Sequence, residues 1–242
     1  MRFPVSCPIH VVLLGAGGTG GHIAPHLYRL LWSLFRPSTV IICDGDLVED
    51  KNLVRQNFVK CDLGRNKAQV LAERYAGAFG METCYKPDYI EDEQTLIKLL
   101  TPSVEDALVI LLGAVDNNRS RRLCNDVFYK AKTLIYIDAG NGVANGQVVC
   151  GVRKGGRTAR KPVAGYYRDI LDPTDKFPTE LSCAEASQSS PQAIAANLMA
   201  ATLTLSMLYN ILACGELNTR MATFSTRTVN VRPLLQQRRK AA

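Results

Sequence analysis

The sequence predicts an α/β fold, a doubly wound and mostly parallel sheet with additional antiparallel C-terminal strands. Three observations carry this. Ile9 to Leu14 is an apolar run entering the glycine-rich stretch Gly15-Ala16-Gly17-Gly18-Thr19-Gly20-Gly21, and Leu27, Leu30, Leu31 and Leu34 follow at helical spacing. Two further apolar runs, Thr39–Cys43 and Ala107–Gly113, lack the polar alternation of a half-exposed strand, which suits strands covered on both faces. Helical patterns separate these runs, so the chain alternates strand and helix.

The first strand, turn and helix have the spacing G-x-G-x-x-G of a Rossmann-like nucleotide site. Gly15, Gly17, Gly18 and Gly20 let backbone amides approach a phosphate, and the helix N-terminus adds partial positive charge. The second strand ends on Asp44, placed to reach the ribose hydroxyls of a nucleotide held by that turn. Asp46, Glu49 and Asp50 crowd the same loop and read as solvated charge. After Lys67 come a helix through Val70, Leu71 and Tyr75, a short strand at 82–86 and a helix near 92–100. The strand at 107–113 belongs beside the first, across the point where strand order reverses, so Asp116 faces the phosphates. A fifth strand at 133–138, an Asn-Gly turn at 141–142 and a strand from Gly146 to Val152, read as antiparallel, follow. Residues 153–181, with Pro162, Pro173 and Pro178, read as a long surface crossover, and strands near 221–226 and 228–232 complete the sheet.

Phosphate and ribose contacts alone suit an NAD-dependent oxidoreductase equally well. The cations separate the readings. Asn52-Leu53-Val54-Arg55-Gln56 and Gly64-Arg65-Asn66-Lys67 bring Arg55 and Lys67 just beyond the ribose acid, where charge developing on an attacked α-phosphate needs them. Asp116 has two readings: a carboxylate for the magnesium that bridges phosphate oxygens, or an N-cap in competition with Asn117 and Asn118.

These motifs, in this order across roughly residues 9–140, resemble the ThiF/MoeB/HesA family, relatives of the ubiquitin-activating enzymes, and within it the branch found in bacterial plasmid-type (PRTRC) gene cassettes. A weaker match continues at Ser182-Cys183-Ala184-Glu185-Ala186. The resemblance implies ATP-dependent adenylation of the C-terminal glycine of a small ubiquitin-like (β-grasp) protein, with magnesium, followed in many members by transfer to sulfur. It implies ATP-phosphate contacts for Asn52, Arg55 and Lys67, with Gln56 in the same motif, a ribose contact for Asp44 and a magnesium contact for Asp116. Cys183 matches a position where some members hold a reactive cysteine. A thiolate there can attack an acyl-adenylate, whereas a free cysteine is equally at home as a small buried hydrophobe. The resemblance also implies a homodimer, yet the chain begins almost directly at its first strand, without the helical segment that in relatives carries an arginine into the partner's site. A non-catalytic scaffold for a β-grasp partner is a further reading, and the presence of Arg55, Lys67 and Asp116 weighs against it.

The rest of the composition narrows the classes. Eight cysteines, at 7, 43, 61, 84, 124, 150, 183 and 214, form no C-x-x-C pair, so the structural zinc of many relatives is not expected. Unpaired thiols and the lack of a secretory leader fit a reducing cytoplasm. With 242 residues and 47% apolar content the chain reads as one domain, a nucleotide-binding half (1–140) and a crossover and partner-binding half (141–242). The apolar stretch 193–214 approaches the length of a membrane span, but Asn197, Thr202, Thr204, Ser206 and Asn210 interrupt it, and a core helix is expected. The net charge of +7, with a basic run at 153–161 and Arg238-Arg239-Lys240, comes without aromatic interleaving, which points away from nucleic acid and toward an acidic protein partner or a solvated loop.

Overall fold

β1 (Ile9–Leu14) has no exposed residue, and it pairs in parallel with β2 (Ser38–Cys43) on one side and β4 (Leu108–Gly113) on the other. The structure is a computed structural model and describes residues 1–180 and 193–236. β3 (Cys84–Lys86) extends the sheet beyond β2, and β5 (Leu134–Asn141) lies beyond β4, both parallel to their neighbours. The sheet then turns antiparallel through β6 (Asn145–Lys154), β8 (Thr219–Ser225) and β9 (Asn230–Leu235), while β7 (Arg157–Arg160) also pairs with β6. Strand order is β3-β2-β1-β4-β5-β6-β8-β9, so direction of winding reverses between β1 and β4, as expected of a doubly wound sheet.

Alternate residues of β1 feed two cores. Val11 and Leu13 pack with Leu27 of α1 (Gly18–Ser33), Leu71 of α2 (Lys67–Phe79) and Leu208 of α5 (Ile194–Leu212). Val12 and Leu14 pack with Leu96 of α3 (Glu93–Leu99) and Leu123 of α4 (Asn118–Lys130). Burial on both faces is why these strands carry no polar alternation. His10, the polar exception in β1, is satisfied through Nε2 by the carbonyl of Leu99 at 2.7 Å.

α5 is long and apolar enough to cross a membrane by length and composition. It packs instead along α1 and over β5 and β6, burying Ala196, Ala200, Thr204, Leu208 and Ile211. Two readings of the sequence need correction. β5 runs on through Asn141, so the Asn-Gly pair ends the strand, and Gly142 N–H donates to Asn145 O to close the turn. Of the stretch 153–181 read as a surface crossover, the described part, 153–180, is not a plain surface loop. Gly155 and Gly156, with φ of 57° and 74°, close a hairpin between β6 and β7. Three short 3-10 turns at 163–165, 168–171 and 178–180 follow, and Val163, Ala164, Ile170 and Phe177 are buried beside α4. The breakers were visible in the sequence; the burial came from tertiary packing against α4.

Candidate active site

At the carboxyl ends of β1 and β2 the glycine turn is built by close approach. Gly15 has φ +96°, and a Cβ there would fall 2.6 Å from Ala114 O; a Cβ on Gly20 would fall 1.9 Å from Gly15 O. Side chains at these positions are excluded by backbone. Gly18 makes room for a different neighbour, because a Cβ would strike the Asn197 side chain at 2.6 Å. Asn197, wholly buried on α5, donates from Nδ2 to Thr19 Oγ1 (3.3 Å) and to Asn141 Oδ1 (3.5 Å), and Thr19 donates to Asn141 Oδ1 at 2.8 Å. A helix nearly 180 residues away in sequence thus braces the turn, and nothing local in the sequence announces it.

Asp44 braces the turn from the other side. Its Oδ2 accepts from Ala16 N–H at 2.6 Å and its Oδ1 from Asp46 N–H at 2.8 Å. Burial and the adjacent Asp46 carboxylate push its carboxyl up to about 6, against the pull of Lys67 and the two amides.

The segment carrying Asn52, Arg55 and Gln56 is pinned to α1 by a gap in that helix. Pro25 lies inside α1 and has no N–H for the carbonyl of Gly21 four residues earlier. Asn57 Nδ2 donates to Gly21 O instead, at 3.0 Å, and also lies 2.7 Å from Tyr75 Oη. His22 Nε2 holds Arg55 O at 3.2 Å. Gln56 is therefore packed against the turn: its Nε2 lies 3.9 Å from where a Gly17 Cβ would sit. Its buried Oε1 accepts no hydrogen bond among the described residues. Asn52 is buried, and its Oδ1 accepts from Glu49 N–H at 2.9 Å, so any phosphate contact would fall to its Nδ2. Arg55 is partly exposed.

Lys67 opens α2 behind the N-cap Asn66, whose Nδ2 donates to the carbonyls of Asp44 and Asp46. Its side chain is 5% exposed, and Nζ is 2.7 Å from Asp46 Oδ2. Asp46 keeps a half-exposed side chain but is paired, which the sequence did not show, whereas Glu49 and Asp50 are exposed. On the far side of β1, Asn117 caps α4 by accepting from Ser120 N–H at 2.8 Å, which removes the N-cap reading of Asp116 and leaves that carboxylate exposed on the β4–α4 loop. Arg121 steadies the loop through Val115 O (2.8 Å) and approaches the buried Asp138 at 3.4 Å. No cluster of three metal-ligating side chains occurs among the described residues. A magnesium held chiefly by phosphate oxygens and water needs only one carboxylate, and Asp116 fits that role. The glycine cradle fits a nucleotide phosphate through its backbone amides, and Gln56 could meet one only through its Nε2, since its orphaned Oε1 is an acceptor. Cys183 lies outside the described residues.

Arg119, in the first turn of α4, stacks 4.7 Å over the Phe177 ring and lines two polar hollows of about 300 and 260 Å³.

The sequence profile of the ThiF family matches residues 8–242. Among solved structures, E. coli MccB with ATP aligns at a TM-score of 0.64 and 19% identity, covering 96% of this chain and 64% of that one. E. coli MccB with AMPCPP and MccA aligns at 0.65 and 19%, covering 96% and 65%. PaaA aligns at 0.63 and 16%, covering 94% and 64%. The chain therefore spans less than two thirds of the length of these structures, and at such identity the likeness carries the fold. A comparison with curated proteins finds no match. The profile match over nearly the whole chain, on the doubly wound sheet and glycine turn just described, makes this chain a member of the ThiF family.

Proposed function

We propose that the chain is an ATP-dependent adenylyltransferase acting on the C-terminal carboxylate of a small protein or peptide. The observation that carries this is the meeting at one sheet end of the glycine cradle, Asp44, the buried Lys67 and the α1-anchored Gln56 segment. A dehydrogenase needs the first two and has no use for the others.

In the proposed reaction the turn's amides hold phosphate oxygens, and Asp44 accepts from the ribose hydroxyls. A carboxylate oxygen of the partner attacks the α-phosphorus; the new O–P bond forms as the bond to the bridging oxygen breaks, and pyrophosphate leaves. Arg55 and Lys67 stabilise the added equatorial charge, and Asn52 and Gln56 orient the phosphates. Magnesium on Asp116 would neutralise phosphate charge and hold the leaving group. The partner's tail enters beside Arg119, which lines both hollows.

The finer identity of the partner is a small ubiquitin-like protein ending in glycine. A peptide is the second reading, and it draws on the structures of MccB solved with MccA. We further read the enzyme as a cytoplasmic homodimer in which the Cys183 thiolate attacks the acyl-adenylate carbonyl and AMP departs. The seven described cysteines are all free thiols, in keeping with that compartment.

ATP–pyrophosphate exchange with magnesium, measured with and without a Gly-terminated β-grasp protein or a short peptide, tests the proposal. Exchange that depends on the partner supports it. NAD binding without ATP binding overturns it, and partner binding without exchange reduces the chain to a scaffold. Cys183→Ser should spare exchange and abolish only a thioester product.

A further inference from the structure

We propose that Asp46 and Tyr89 are positioning residues for Lys67, fixing the direction in which its ammonium meets the triphosphate; this rests on the adenylation reading above. Neither residue belongs to the motifs that suggested the site.

The arrangement begins at Gly45. Tyr89, on the loop between β3 and α3, lays its ring so close that a Cβ at position 45 would fall 2.5 Å from ring carbon Cδ2. Glycine is needed there so that the aromatic ring can lie on the backbone between the two acids. Tyr89 then donates its hydroxyl to Asp46 Oδ1, while Asp46 Oδ2 accepts from Lys67 Nζ at 2.7 Å. The backbone of Asp46 is equally committed: its N–H donates to Asp44 Oδ1, and its carbonyl accepts from Lys67 N–H at 2.9 Å and Asn66 Nδ2 at 3.2 Å. Asp46 is therefore a fixed hub, with each polar group engaged within the protein.

This matters because Lys67 is buried. An ammonium that has left water needs a partner, and a flexible four-carbon stem needs something to aim it. Asp46 does both: it takes one of the three N–H donors and leaves two for phosphate oxygens. Tyr89 shares the carboxylate's charge, so Asp46 holds Lys67 without monopolising it. Burial and the neighbouring acids, Asp46, Asp44 and Asp116, push the Tyr89 phenol up, which keeps it a donor throughout the working range. Although burial alone would raise it, Lys67 and Tyr89 hold the Asp46 carboxyl below its ordinary value, so it stays ionised.

The test is a double-mutant cycle on binding rather than turnover. Affinity for AMPCPP with magnesium is measured by calorimetry in the intact chain, Tyr89→Phe, Lys67→Ala and the double variant, with adenosine as the control ligand. Tyr89→Phe keeps the ring over Gly45 and removes only the hydroxyl. It should weaken AMPCPP binding about threefold to tenfold, leave adenosine binding unchanged, and have no further effect once Lys67 is Ala. Asp46→Asn should behave the same way, which guards against a fault peculiar to position 89. Equal losses in both Lys67 backgrounds, or parallel losses for adenosine, overturn the positioning role while leaving the adenylation reading intact. If the intact chain binds no AMPCPP, both fall.

Discussion

The parallel half of the sheet and its antiparallel half are held together by different means. From β3 to β5 the strands are sandwiched between helices, and the polar side chains gather at the carboxyl ends, where Asp44, Asn57, Asn66 and Thr19 satisfy loop and helix backbone or one another. From β6 to β9 the central polar feature is the buried Arg160, which donates to the carbonyls of Leu217 and Thr219 and to Gln236 Oε1 with no carboxylate partner among the described residues. β9 forms the edge, and its five residues from Val231 to Leu235 are exposed. The first half uses its polar groups to hold the loops of the proposed site; the second uses them to tie strands to one another. A substitution in one half should therefore damage chemistry, and in the other, stability.

The largest effect that could break this contrast is at Lys67. Lys67→Ala should lower partner-dependent ATP–pyrophosphate exchange about 100-fold to 1,000-fold, and Arg55→Ala should do the same. A loss below tenfold would show that the strand-end cations are not aimed at chemistry.

Arg160→Met probes the other half. It removes three hydrogen bonds and leaves the part-buried Thr219 O without its Arg160 donor, although Leu217 O keeps Met1 N at 3.1 Å, so stability by denaturant unfolding should fall by about 1–3 kcal/mol, while AMPCPP affinity stays unchanged. A matching loss of affinity would mean that the two halves are energetically one.

Asn57→Leu lies where the two roles meet. Leaving Gly21 O unsatisfied should cost about 1–2 kcal/mol and raise the KM for ATP several-fold, because Arg55 and Gln56 lose their anchor to α1. A stability loss with unaltered kinetics would separate the anchor from the site.

The smallest effect is with pH. Because the Asp44 carboxyl is raised to about 6 in the fold, it takes up a proton as pH falls through that value and loses its charge as a ribose acceptor. AMPCPP affinity should decline between pH 7.5 and 5. A raised acid destabilises its ionised folded form, so this group's contribution to stability grows as pH falls through the same window, and the lost affinity is not unfolding. Asp44→Asn should flatten the profile; an unchanged profile would show that another group titrates there.

The residues proposed for the site were legible where they are local in sequence. A strand end, a tight turn and a helix start must be contiguous, so Gly15 to Gly20, Asp44, Lys67 and Asp116 stand at readable spacings. The partners of Asp46 were not legible, since a half-exposed acid in an acidic loop looks the same with or without them. Tyr89, Asn197 and Asn141 gave no local signal: each acts on a residue between 43 and 178 positions away. The Pro25 gap was present in the sequence, but its filling by Asn57 required α1 and the 52–57 segment to meet. Cys183 remains an expectation of the sequence, outside the described residues.

Sequence by itself determined the doubly wound order and the glycine turn, and it placed the acids and cations of the proposed nucleotide site, because steric limits and strand period act over a few residues. Tertiary structure alone decided that Asp46 grips Lys67, that α5 braces the turn and that residues 161–180 fold onto α4. Those outcomes depend on which buried polar groups find partners once distant segments pack, and no single segment contains that information.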